Sequence, residues 1–196
     1  MNNKFITDIL FNLVPALTRR IEQYHKMFHL PLKDEQWEET LHRSFVEIGY
    51  NTTWTTNRSH PNREDMRLIH IPNSRISCKS GQLMNIVSLN KRCVNFNGSR
   101  STSFATLTEN IMHFSESYDD YYFILARGNK FDMKYNLLVI PSTLCNVNKL
   151  TWFESETKTA WKGFGEFSAV IGKSFSAKLW TSIPLDLITH NIPIHV

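Results

Sequence analysis

No run of about 18 consecutive apolar residues occurs in the chain, so no segment is expected to span a membrane as a helix. Cysteine is scarce: Cys78, Cys93 and Cys145 are an odd set without metal-ligand spacing. That excludes a disulfide framework and a Cys/His zinc site, and it fits buried thiols in a reducing cytoplasm. A Gly-rich phosphate loop is missing, which disfavours nucleotide hydrolysis and a nucleotide cofactor. A Gly-x-Ser-x-Gly elbow is missing too, which disfavours a serine hydrolase. Near the start, Lys4 precedes an apolar stretch reaching Val14, but Asp8 interrupts it and no small-residue cleavage site follows. It does not read as a secretory signal. Internal repeats, low-complexity tracts and a recognisable linker are also absent.

What is present is apolar bulk and a mild excess of positive charge. The 196 residues are 41% hydrophobic, with 13 Phe, 5 Trp and 6 Tyr, enough to bury one sizeable core in one domain. The formal net charge is +4, compatible with a polyanionic partner. Arg58, Arg63, Lys91, Arg92, Arg100, Lys130, Lys158 and Lys162 fall beside turn-forming residues. Loops mixing such residues with Asn, Ser and Thr suit phosphate and base-edge contacts, and equally a solvated surface.

Residues 3–27 read as helical, with Ile6, Ile9, Leu10, Leu13, Leu17 and Ile21 near helical spacing and Pro15 expected to kink or split the segment. A second helix is expected from Asp34, as N-cap, to Ile48, closed by Gly49, with Trp37, Leu41, Phe45 and Ile48 as its buried stripe. Strands are expected over 50–56, 65–71 and 75–79, with a turn at Pro72-Asn73; 84–96 reads as strand or irregular. Residues 97–103 read as a turn-rich loop leading into a helix over 104–114. The runs 121–126 and 136–140 are nearly all apolar and read as buried central strands. From Leu144 onward the pattern is less regular, with aromatics spaced among polar residues.

Chemistry concentrates in one pair of segments. Asn62-Arg63-Glu64-Asp65 carries an acid, and Arg75-Ile76-Ser77-Cys78-Lys79 is an alternating strand ending in lysine. Ser77 and Lys79, two apart, share one face while Ile76 and Cys78 face the core. If the chain turns back between them, the Asp65 carboxylate can lie beside the Lys79 ammonium. This arrangement resembles the PD-(D/E)xK nuclease superfamily, and within it the type II restriction endonucleases. Ser77 stands where the family usually has Glu or Asp; some of its restriction enzymes carry Ser-x-Lys and bring the missing carboxylate from a helix.

The resemblance implies an α/β (α+β) fold with a restriction-endonuclease-like core, a mixed central sheet flanked by helices. The core would cover about 34–140, with a helical segment over 1–33 and DNA-binding or dimerisation elements over 141–196. It implies Mg²⁺-dependent hydrolysis of phosphodiester bonds in duplex DNA at a specific sequence. It also implies a homodimer and a bacterial or archaeal cytoplasm. Asp65 would be the main Mg²⁺ ligand, with the Cys78 carbonyl as an extra one. Lys79 would orient the attacking water or stabilise the phosphate, and Ser77 would hydrogen-bond a metal-bound water. For the second carboxylate, Glu38, Glu39, Glu64 and Glu109 are all candidates. Glu38 is favoured, because it lies about 65° from the centre of its helix's apolar stripe, whereas Glu39 points nearly away. DNA contacts are expected from Arg63, from the Ser99-Arg100-Ser101-Thr102-Ser103 segment at a helix start, and from Lys162. His60-Pro61-Asn62 mimics part of an HNH site without its spacing. A non-catalytic DNA-binding module of the same fold, and a repair or resolvase nuclease, remain the alternatives.

Overall fold

The computed structural model describes residues 3–54, 65–102, 106–115, 119–173 and 176–195, with the backbone alone at residue 3, 99–102 and 176. It is a mixed α+β fold, one large mixed sheet flanked by three α-helices among the described residues. Helix α1 (Asn3–Met27) runs unsplit through Pro15. Helix α2 (Asp34–Glu47) begins one residue earlier than an Asp34 cap would have it. Lys33 holds the N-cap position, and its N–H donates to Gln36 Oε1 at 2.9 Å. Gly49 ends α2 at φ +91°, where a side chain would be strained.

The expected strand over 65–71 shrinks to β1 (Met66–Arg67), and of the strand expected over 50–56 the described residues contribute a bridge, Thr52 to Leu68. The turn at 72–73 is held by buried Ser74, whose Oγ donates to Leu68 O at 3.0 Å and Ile71 O at 2.6 Å. Strand β2 (Arg75–Ile86) is longer than its expected 75–79, because Gly81 lets it pass beneath two neighbours. A Cβ there would come within 2.7 Å of Ile124 and 2.8 Å of Val94.

Strand β3 (Lys91–Thr102) corrects the expected loop at 97–103 and takes Lys91 and Arg92 with it. Ser99, Arg100, Ser101 and Thr102 pair with β9 (Ser176–Pro184), after a register shift between Asn97 and Ser99 that accounts for the turn-like composition. Helix α3 (Leu107–Ser115) starts later than expected. Strands β4 (Tyr121–Arg127) and β5 (Tyr135–Pro141) are the buried central strands the apolar runs predict. The final quarter is regular rather than irregular: β6 (Thr151–Glu154), β7 (Ala160–Phe164), β8 (Ser168–Gly172), β9 and β10 (His190–Ile194).

The strand order is β10-β5-β4-β2-β3-β9-β8-β7-β6, with β1 beside β2. The β2–β4 pair is parallel and every other pair is antiparallel. Asp120 locks the parallel pair at its start, accepting from Arg75 N at 2.9 Å and Arg75 Nε at 3.1 Å. Burial opposes ionisation of that carboxyl, but the Arg75 hydrogen bonds outweigh it and hold its pKa below the usual range.

Two apolar clusters lie on opposite faces. One joins α1 and α2 to Ile76, Cys78, Phe123 and the inward residues of β5. There Trp37 Nε1 donates to Phe123 O at 3.3 Å and fixes α2 over the sheet. The other contains Phe114 of α3, Val94, Ile124, Phe167, Ile171 and Leu179. No described helix is long and apolar enough to cross a membrane.

Candidate active site

The sheet has a notch. On one edge, β1 accompanies β2 as far as Ile76, and β3 joins the same edge only from Gly81. Among the described residues, 77–80 therefore lack a strand neighbour there, which leaves edge amides needing acceptors. Asp65, just before β1, supplies one. Its Oδ2 accepts from Cys78 N–H at 2.6 Å and from Ser77 Oγ at 3.0 Å. Lys79 Nζ lies 3.5 Å from the same oxygen, both side chains about one-fifth exposed. The ribbon expected from the sequence thus brings Asp65, Ser77 and Lys79 together.

Strand alternation explains the convergence. Cys78 and Ile76 face the helix-covered core, while Ser77 and Lys79 stand beside Tyr122 and Ile124 on the other face. Backbone N–H and C=O of one strand residue point the same way, so the Cys78 carbonyl faces the notch with its amide. The Cys78 sulfur does not take part. Burial pushes its thiol pKa well up, with the Asp65 and Glu38 charges adding to the effect, and it stays protonated.

Glu38 approaches from α2. Its pKa is pushed up to about 7, first by burial and then by the Asp65 carboxylate, with Lys79 pulling the other way. The Trp54 indole N–H also favours the ionised form, although it falls short of hydrogen-bonding geometry and is otherwise unsatisfied. Two carboxyls and one ammonium therefore interact at the notch. A raised carboxyl pKa beside a second acid is a common mark of a functional site.

The other acids have separate work. Glu39 pairs with Arg43 at 2.7 Å on the exposed side of α2. Glu109 accepts from Thr106 N at 2.9 Å and Thr106 Oγ1 at 2.8 Å, and so caps α3. Its pKa falls through those bonds. Arg63, Ser103, Glu64 and the His60-Pro61-Asn62 fragment lie outside the described residues. With Ser99, Arg100, Ser101 and Thr102 in a strand, the expected donor loop at a helix start is corrected. Lys162 is exposed on β7 rather than in a loop.

Sequence reasoning missed four neighbours: Asp34, Ser80, Trp54 and His42. Asp34 accepts a short hydrogen bond from Ser80 Oγ and lies close enough to Glu38 to raise its pKa. Trp54 stacks on His42 with ring centroids 4.8 Å apart. Asp34, Glu38 and His42 are four residues apart along α2 and share one helix face, a spacing that could have singled out Asp34. Burial lowers the His42 pKa, with Arg43 adding to it. Ser80 and Trp54 gave no signal, since only tertiary folding brings them near.

No group of three or more His, Cys, Asp or Glu poised for a metal exists among the described residues. Two carboxylates and a backbone carbonyl are oxygen donors of the kind Mg²⁺ takes. The raised pKa of Glu38 marks the place where a cation would relieve repulsion. Compared with known proteins, the chain matches no family model, no curated protein and no solved structure.

Proposed function

We propose that the chain is a Mg²⁺-dependent endodeoxyribonuclease of the restriction-endonuclease-like class, hydrolysing phosphodiester bonds in duplex DNA at a specific sequence, as a homodimer on palindromic sites. The observation that carries this is the triple convergence of Lys79 Nζ, Ser77 Oγ and Cys78 N–H on one oxygen of Asp65, beside a Glu38 with raised pKa. Asp65, Glu38 and the Cys78 carbonyl would hold the ion. A bound Mg²⁺ supplies charge neutralisation at the phosphate and lowers the pKa of a coordinated water.

The remaining work belongs to side chains. Cys78 N–H and Ser77 Oγ occupy Asp65 Oδ2 and so fix the orientation of that carboxylate. Lys79, held at the same oxygen, is a compact charge able to donate to a phosphate oxygen as negative charge develops there. Ser77, at the usual acid position, serves Asp65, and Glu38 brings the second carboxylate from the helix.

Incubating duplex DNA with Mg²⁺ or Mn²⁺ tests this. Discrete fragments are expected, lost on chelation. Lys79→Ala should slow cleavage by about 10²-fold or more, the usual scale for removing a group that stabilises developing charge. Asp65→Ala should abolish it. Binding of a duplex with no cleavage under either ion would leave a DNA-binding module.

A further inference from the structure

The sheet is unevenly covered. The α1–α2 cluster takes in residues of β1, β2, β4, β5 and β10 and none from β3, β6, β7, β8 or β9. On the helix side, that half of the sheet has no apolar cover among the described residues. Registers give its outward residues. One row runs Phe153, Lys162, Val170, Trp180, Asn97 from β6 to β3. Beside it lie Phe164, across from Thr151, and Lys178, two residues before Trp180.

No acid occurs among the outward residues of these strands, whereas Lys162 and Lys178 both do. Neither lysine is salt-bridged among the described residues. Phe153 is 57% and Trp180 42% exposed, unusual for aromatics on a finished sheet face. Three strand spacings separate them, about 14 Å, with Lys162 between. The row also leads somewhere. Gly81 is the last residue of β2 opposite β3, at Phe96, so the next pair back is Ser80 and Asn97, where the notch opens. Ser80 is the residue bonded to Asp34.

We propose that this uncovered half-sheet holds an unpaired nucleic-acid strand, such as one parted from its complement beside the notch, with bases stacked on Phe153, Phe164 and Trp180 and phosphates against Lys162 and Lys178. Exposed aromatics with intervening cations and no carboxylates are the chemistry that holds single strands without reading sequence. A duplex keeps its base faces stacked inside and cannot use the rings. The proposal rests on the nuclease reading only for nucleic acid as the partner.

The test uses the full chain in EDTA, with a fluorescein-labelled 20-nucleotide single strand and its duplex followed by anisotropy. The single strand should bind at least tenfold more tightly. Trp180→Ala and Phe153→Ala should each weaken it by about tenfold, the scale of one lost base stack. Lys162→Ala with Lys178→Ala should lower the salt slope by about 1.4, at roughly 0.7 per phosphate contact on a single strand. Unchanged single-strand binding in the aromatic variants overturns the proposal. So does a shift from dimer to monomer in sedimentation without a binding change, which would make the face a contact between copies. Aromatic-dependent binding by a chain that never cuts leaves this surface standing and removes the nuclease reading. Metal-dependent cutting lost in Asp65→Ala, with Trp180→Ala binding and cutting like wild type, does the reverse.

Discussion

Glu38 has a titration that can be followed without any substrate. Its carboxyl holds a proton up to about pH 7 in the folded chain, against a reference value of 4.5, because burial and Asp65 penalise its charge. The native state therefore binds more protons than the unfolded chain between those values. The stability tied to the neutral form is complete below pH 4.5 and is lost as pH rises to about 7. Wild-type Tm should fall relative to that of Glu38→Gln across this window and run parallel to it above. A Mg²⁺ ion at the notch would have to displace the same proton, so it should raise Tm more at pH 8 than at pH 5.5. Equal shifts at both pH values would remove Glu38 from the ligand set. At this scale Asp65, Ser77 and Lys79 were legible, since strand alternation and one short turn place them and both are local. Glu38 was legible as a helix-rim acid. Its pKa was not, because that depends on burial and on a neighbour 27 positions away in the chain.

Gly81 shows how an element can depend on one missing side chain. Strand β2 is flanked there by β4 and β3 at once, and a methyl group would enter the space of Ile124 and Val94. Both neighbours are fully buried, so neither can turn aside. Gly81→Ala should cost about 1–3 kcal/mol, the usual range for overpacking. At this chain size that is a drop of roughly 2–4 °C in Tm per kcal/mol, readable by calorimetry. A Tm within 1 °C of wild type would show that the β2–β3–β4 crossing is looser than its contacts imply. Elements with one strong period (α1, α2) or one nearly unbroken apolar run (β4, β5) were legible. The strands from β6 to β9 were hidden by the arrangement that leaves one sheet face open. With only one side buried, Trp152, Gly163, Ala169 and Thr181 form the inner row, and polar or aromatic residues alternate with them. Strands β6, β7 and β8 have only four or five residues each, and β9 alternates lysine, serine and threonine with its apolar residues, so none registers as an apolar run. The loop expected at 97–103 failed for the same reason, since Gly98, Ser99 and Ser101 carry turn chemistry that pairing with β9 overrides.

For the whole molecule, the order of strands decides what can stand alone. The motif and its flanking elements lie within about 34–140, which suggests a self-sufficient core, but the sheet is not closed by those residues. Strand β3 is held on its outer side by β9, and β5 by β10, both from the last quarter of the chain. The cluster beneath α3 draws Val147, Leu150, Phe167, Ala169, Ile171, Leu179, Ile183 and Ile188 from beyond residue 141. Removing them strips the second face of the sheet of most of its cover and exposes two long edges prone to pairing with other chains. A fragment spanning 1–141 is therefore expected to lack a cooperative transition and to aggregate, although it holds every residue of the notch. The intact chain should unfold in one step, with far-UV circular dichroism and tryptophan fluorescence coincident, because β2 and β4 contribute to both clusters. A fragment 1–141 that melts cooperatively would place the boundary of the folding unit at β5 and make the β6–β9 meander an addition to it.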